Sequence, residues 1–64
     1  MQRKEFRDSE GRLLFYSDPS SNRTDVRDAE GKLLGYLENG KTRDAGGRLI
    51  AMGEEAAALF YRPS

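Results

Sequence analysis

With 64 residues, the chain is long enough for one small domain, near the lower limit at which a single hydrophobic core suffices. It contains no cysteine, which excludes disulfides and thiolate metal sites, and no histidine, which excludes the usual general base. Oligomerisation remains as a way to add stability. Its 11 basic and 11 acidic residues cancel and alternate in sign along the chain, which argues against the basic surface of a typical nucleic-acid-binding protein.

One phrase, Arg-Asp-x-x-Gly-(Arg/Lys)-Leu-(Leu/Ile), occurs three times in the chain, beginning at Arg7, Arg27 and Arg43. Asp suits the first position of a type I turn because its side chain accepts backbone hydrogen bonds, and Gly suits the fourth because it adopts the left-handed conformation. Each phrase therefore predicts a β-hairpin. The predicted turn residues are Asp8, Gly11, Asp28, Gly31, Asp44 and Gly47, with Asn39 and Gly40 in a further two-residue turn.

In chain order, the pattern predicts six short strands and a C-terminal helix in a single domain, 1–64. Repeat 1 spans 3–16, repeat 2 spans 23–38 and repeat 3 spans 41–52, with a connection at 17–22. Helix formers with acids in the first turn predict a helix over 54–60 that ends before Pro63, although a further strand at 58–62 is an alternative. The expected fold is all-β, an antiparallel meander of three hairpins with a short helix. The predicted strands are 3–7, 12–16, 23–27, 32–38, 41–43 and 48–52.

The paired leucines suggest a sheet with two partly apolar faces. If Asp8 pairs with Arg12, Phe6 lies opposite Leu14, and the same register pairs Val26 with Leu34 and Thr42 with Ile50. One short helix cannot cover both faces, so we expect either a barrel-like closure or a partner chain. The candidate interface consists of the apolar residues of the second face and the tail: Leu13, Phe15, Leu33, Leu37, Leu49, Leu59 and Phe60.

This register conflicts with the predicted turn at Asn39 and Gly40. That turn places Leu37 opposite Thr42, although the repeat register assigns the two residues to different faces. A bulge or a sharp corner between repeats 2 and 3 would remove the conflict.

The repeat resembles short hairpin-repeat proteins of bacteria, plasmids and phages, which are written around Arg-Asp-x-x-Gly-(Arg/Lys)-Leu-Leu-Gly. Residues Val26 to Tyr36 match best, with Gly35 in the final position, where the other repeats have Phe15 and Ala51. The chain is more faintly similar to the Tyr-Asp (RHS-type) repeats of bacterial toxin shells. These resemblances imply a bacterial β-hairpin protein, encoded on a mobile genetic element, and bring no catalytic residue.

Two groups of charged residues invite a functional interpretation. The carboxylates of the three turns could bind calcium, because acids in Gly-containing loops can hold this ion. However, no acid follows the turn glycines at the distance where a bidentate ligand would complete such a site. Hydrogen bonding within the turns explains the same carboxylates without a metal. The arginines Arg7, Arg27 and Arg43 could contact phosphates in a β-ribbon, or could form cross-strand ion pairs. The turn acids are Asp8, Glu10, Asp28, Glu30 and Asp44.

Aromatic and hydroxyl side chains give a weaker functional signal. Tyr16, Tyr36 and Tyr61 with Phe15 could stack on bases or anchor a peptide, or could pack across strands. The serines have no histidine to activate them, so we expect no enzyme, cofactor, metal or small-molecule substrate.

The sequence thus favours a protein–protein interaction or structural module that self-associates, as a dimer or with a protein partner. The alternative is a nucleic-acid-binding β-ribbon. No apolar run is long enough to span a bilayer and the polar N-terminus does not resemble a signal peptide, so we expect a cytoplasmic protein.

Overall fold

The structure is a computed structural model that describes residues 3–61. Within this range the chain forms one six-stranded antiparallel sheet, with the strands in sequence order, and one short helix. The elements are β1 (Lys4–Arg7), β2 (Leu13–Pro19), β3 (Thr24–Asp28), β4 (Leu33–Glu38), β5 (Lys41–Asp44), β6 (Leu49–Met52) and α1 (Ala56–Phe60). The predicted mainly-β meander is confirmed. Among these strands β1 pairs only with β2 and β6 only with β5, so the sheet is open rather than barrel-like.

Most predicted boundaries agree with the structure to within one residue, and two differ by more. Strand β2 continues through Ser17 to Pro19, whose partner on β3 is Thr24, so the first connection is shorter than 17–22. Helix α1 begins at Ala56, and neither of the preceding acids lies in its first turn. Residues 58–60 are helical, which excludes a strand there, while Arg62 and Pro63 lie outside the described residues.

A β-bulge follows the turn of every repeat and changes the predicted register. In repeat 1 the backbone N–H of Asp8 donates to the carbonyl of Arg12 at 2.9 Å, as predicted. However, Phe6 lies opposite Phe15 and Arg7 opposite Leu13, so Leu14 is the extra residue. The predicted pair of Phe6 with Leu14 is therefore wrong.

The other two repeats contain the same register shift. Val26 lies opposite Gly35, not Leu34, and Thr42 lies opposite Ala51, not Ile50. The bulges also remove the conflict between repeats 2 and 3, because Leu37 now lies opposite Thr42 across the turn at Asn39 and Gly40, with no corner needed. Both of these turn residues have positive φ, 52° and 72°, as a type I′ turn requires.

The hydrophobic core lies between α1 and one face of the sheet. Phe15, Val26, Leu37 and Leu59 are buried there. The bulges bring the second apolar residue of each pair to the same core. The partly buried side chains packed against it are Phe6, Leu14, Leu34, Ile50, Ala56 and Phe60.

The opposite face of the sheet, which we call the polar face for its charged groups, also carries apolar side chains. Opposite Arg7, Arg27, Arg43 and Lys41 on this face lie Leu13, Leu33, Leu49 and Met52. Because side chains alternate along a strand, Tyr16 and Tyr36 point away from the buried Phe15 and Leu37. The guanidinium groups of Arg3 and Arg23 lie over these two tyrosine rings, 4.4 and 4.3 Å from their centroids. Both faces of the sheet are therefore partly apolar, and the bulges change which of the predicted residues lie on each.

Candidate interaction surface

The turn aspartates and glycines hold the hairpins in place. One carboxylate oxygen, Oδ1 of Asp8, accepts hydrogen bonds from the backbone N–H groups of Glu10 and Arg12, both at 2.9 Å. Asp28 and Asp44 do the same in their turns. The glycines that close these turns, Gly11, Gly31 and Gly47, have φ of 84°, 88° and 90°, the left-handed region that side chains rarely adopt.

The hydrogen bonds around Asp8 also act on its acidity. The N–H of Arg12 is the largest influence and lowers the pKa of this carboxyl; partial burial opposes it, and the N–H of Glu10 and the Arg12 side chain add to the lowering. A carboxylate that accepts several N–H bonds is favoured in its charged form. The turn of repeat 1 is therefore tightest when Asp8 is ionised.

The arginine that precedes each turn hydrogen-bonds to that turn. Nη1 of Arg7 donates to the carbonyl of Gly11 at 2.9 Å, and Arg27 and Arg43 donate to the carbonyls of Gly31 and Gly47 at 3.0 Å. Acids lie nearby as well: Arg7 is 2.8 Å from Glu5, Arg27 is 3.9 Å from Asp25 and Arg43 is 3.7 Å from Glu38. The recurrence of this arginine thus has a structural reason within the fold.

The aromatic side chains do not form one platform. Tyr16 and Tyr36 lie on the polar face, whereas Phe15 lies in the core, where its ring stacks between Phe6 and Phe60 at centroid distances of 4.4 and 4.8 Å. Tyr61 contacts Phe15 and Phe60 edge-on. The four residues predicted to stack together are therefore divided between the two faces of the sheet.

The seven predicted interface residues are also divided. Phe15, Leu37 and Leu59 are buried in the core, and Phe60 packs against it. The remaining three lie outside that cluster: Leu13 and Leu33 are half-buried and Leu49 is exposed. The bulges separate the two groups, so the structure does not present these residues as one contact surface.

Strand β6 carries the largest exposed apolar side chains of the sheet. Leu49 is 46% exposed and Met52 is 69% exposed. The strand Leu49–Met52 has no charged residue and has β5 as its one neighbour among the described strands. We call this strand and its open side the β6 edge.

The other edge strand has the charges that natural sheets use against edge-to-edge association. Strand β1 carries Lys4, Glu5 and Arg7 in four residues. Charged side chains on an edge strand disfavour pairing with another strand, whereas an uncharged apolar edge permits it. The two edges of this sheet therefore differ in their capacity to bind.

Two residues that sequence reasoning missed position the helix. A Cβ atom at Gly35 would overlap the Arg43 carbonyl and come within 2.7 Å of Leu59 Cδ2, so only glycine lets α1 lie this close to the sheet. The buried Thr42 hydroxyl donates to the carbonyl of Gly53 at 2.7 Å and accepts from the N–H of Glu55 at 2.9 Å. A signal for Thr42 was present, because the equivalent residues of the other repeats, Phe6 and Val26, are apolar.

Residues 3–61 show no pocket, and no group of three or more acidic side chains in that range is arranged to hold a metal ion. Over the same residues, no helix has the length and apolar character needed to cross a membrane. Comparison of the chain with protein-family models, curated proteins and solved structures finds no match.

Proposed function

We propose that this chain is a protein–protein interaction module that self-associates through its sheet. The observation that carries the proposal is the β6 edge, where Leu49 and Met52 are exposed on a strand with an open side. An edge strand offers unpaired backbone N–H and C=O groups to another chain, and exposed apolar side chains add area to bury. A 64-residue chain without disulfides, whose hydrophobic core is small, also gains stability from such association.

The polar face of the sheet is a weaker candidate for a protein interface. Its charges already pair with one another, as in the 2.8 Å contact of Arg23 with Asp25. Breaking or desolvating such pairs opposes binding over most of this face, whereas burial of Leu49 and Met52, which lie at its β6 border, favours it. The β6 edge is therefore the better contact surface.

The proposed module acts in the cytoplasm, with no cofactor, metal or small-molecule substrate. An accessory role in a bacterium, on a mobile genetic element, rests on the resemblance of the repeat alone. Nucleic-acid binding by a β-ribbon, the alternative, is not favoured, because Arg7, Arg27 and Arg43 already hydrogen-bond to turn carbonyls.

Light scattering coupled to size exclusion tests the proposal, over a range of protein concentrations, at ~0.05 M and ~1 M salt. We expect a mass of two or more chains that rises with concentration and persists at the higher salt, because apolar burial is not screened. A monomer at every concentration and salt would refute self-association. Binding of DNA or RNA oligonucleotides that weakens steeply with salt would favour the alternative.

A further inference from the structure

Adjacent repeats contact each other in a recurring way on the polar face. Tyr16, five residues after the turn glycine of repeat 1, lies opposite Arg27, and its hydroxyl is 3.9 Å from where a Cβ of Gly31 would be. Tyr36 holds the same position in repeat 2: it lies opposite Arg43, with its hydroxyl 3.4 Å from the equivalent point on Gly47. The tyrosine of one repeat thus lies beside the turn of the next.

The two ends of the array each lack one half of this contact among the described residues. Met52, five residues after Gly47, has the position of the tyrosines, and it is 69% exposed. At the other end, no described residue lies within 4 Å of where a Cβ of Gly11 would be. One end has a side chain without a turn to contact, and the other has a turn without a side chain beside it.

The repeat arginines that lie opposite a tyrosine are less exposed than the one that does not. The Arg7 side chain is 48% exposed, whereas Arg27 and Arg43, which lie opposite the tyrosines, are 36% and 30% exposed. A neighbour on the β1 side would therefore reduce the exposure of Arg7 as Tyr16 does for Arg27.

We propose that a second copy of this chain completes these contacts. The end of β6 in one copy, Ala51 and Met52, lies antiparallel against the end of β1 in the next, in the register that joins repeat 1 to repeat 2. In that register Met52 lies opposite Arg7 of the second copy and beside its Gly11 turn. The inference rests on the proposed self-association and adds its geometry. A second copy is the partner that fits, since β2–β3 and β4–β5 already make this contact within one chain, along strands that continue further than β6.

This contact is head-to-tail, with consequences that a symmetric dimer does not share. A heterologous contact leaves a free β6 edge and a free β1 on every assembly, so it extends with concentration unless the rotation closes a ring. The charges of β1 meet both signs in this register. Arg7 lies opposite the uncharged Met52, while Lys4 and Glu5 face Glu55 and Glu54, which follow β6.

Introduced cysteines test the geometry, because the chain has none of its own. Chains carrying Met52→Cys are mixed with chains carrying Arg7→Cys and treated with a short thiol cross-linker, after circular dichroism has shown that both variants fold. We expect the mixed dimer to exceed both homodimers beyond the statistical ratio. A chain carrying both cysteines should form a ladder of multimers. Linkage within one chain is excluded, because β1 and β6 are about 24 Å apart at ~4.8 Å per strand spacing.

Two other outcomes would overturn the head-to-tail geometry alone, and one would overturn self-association as well. Met52→Cys chains that link to themselves as readily as to Arg7→Cys chains would overturn the head-to-tail geometry and leave self-association in place. The same holds if no cross-link forms at concentrations where light scattering shows oligomers. A monomer by light scattering at all concentrations would overturn both proposals.

Variants of Met52 measure the same contact without cysteine. Met52→Tyr restores the side chain of the other repeats and should strengthen association severalfold, whereas Met52→Lys puts a like charge opposite Arg7 of the second copy and should weaken it by about tenfold or more. Ala29→Lys is the matched control, because Ala29 is exposed in the turn of repeat 2, away from both sheet edges. Equal effects of the two Lys variants, or no gain from Met52→Tyr, would contradict the proposed contact.

Discussion

Replacement of Gly35 by alanine should separate α1 from the sheet. Gly35 is buried on β4 between Val26 of β3 and Asp44 of β5. An added Cβ would overlap the carbonyl oxygen of Arg43 and lie 2.9 Å from the Cα of Asp44 and 2.7 Å from Leu59 Cδ2. Two of these three neighbours are backbone atoms of a paired strand, so the strain cannot be relieved by rotation of a side chain.

The expected cost follows from that geometry. Overpacking of a well-packed core by one methyl group destabilises by about 1–3 kcal/mol. Where space allows, the same change stabilises by about 0.4–1 kcal/mol, because it reduces the entropy of the unfolded chain. We therefore expect Gly35→Ala to lower the free energy of unfolding by about 1–3 kcal/mol despite the entropic gain.

Urea unfolding followed by circular dichroism measures this cost, with Gly46→Ala as the matched control. Gly46 is exposed, has no positive φ, and its added Cβ would meet only Asp44 Oδ1 at 3.5 Å, an ordinary contact. The control should change stability by less than about 0.5 kcal/mol. If Gly35→Ala were as stable as Gly46→Ala, the argument that α1 needs a glycine beneath it would be refuted. Leu59→Ala in the Gly35→Ala background should cost less than the sum of the single changes, because it removes one of the overlaps.

Four further predictions concern the turns and the helix. Gly31→Val should destabilise by more than about 1 kcal/mol, because a β-branched residue tolerates φ of 88° poorly, and an unchanged melting temperature would contradict the left-handed turn. Thr42→Val keeps the shape but removes both hydrogen bonds to the segment before α1, so urea unfolding should show a loss of about 1–3 kcal/mol; no loss would mean that these bonds do not hold the segment. Leu59→Ala should cost about 2–4 kcal/mol and reduce the helical signal in circular dichroism, and a stable variant would show that α1 is dispensable to the core. Because the pKa of Asp8 is lowered in the folded state, its ionised carboxylate stabilises the fold above about pH 4, and this contribution is lost as the pH falls through the folded-state pKa. The melting temperatures of the wild type and Asp8→Asn should therefore converge in acid. A difference in melting temperature that does not change with pH would refute the role of the charge.

Local chemistry explains why the hairpins could be predicted. An Asp that accepts two backbone N–H groups and a Gly at φ near 90° define a turn within five residues, without help from the rest of the chain. Asn39 and Gly40 define a second kind of turn in the same way. With the turns placed, strands of four to seven residues and their meander order follow from the short connections.

The faces of the sheet could not be predicted from the same patterns. Two consecutive apolar residues, such as Leu13 and Leu14, match either register, and a single inserted residue moves every following side chain to the other face. The bulge at Leu14 therefore decided that Phe15 is buried and Tyr16 is on the polar face. The interface residues were predicted from alternation alone, so this shift in register divides them between the two faces.

By itself, the sequence determined the three repeat turns, the turn at Asn39 and Gly40, the six strands, their order and the helical tail, because each depends on residues close together in the chain. Only the tertiary structure decided the register after each turn, the place of α1 over Gly35, the role of Thr42 and the exposure of Met52 on an open edge. These depend on contacts between residues distant in sequence, whose free energies no local pattern records.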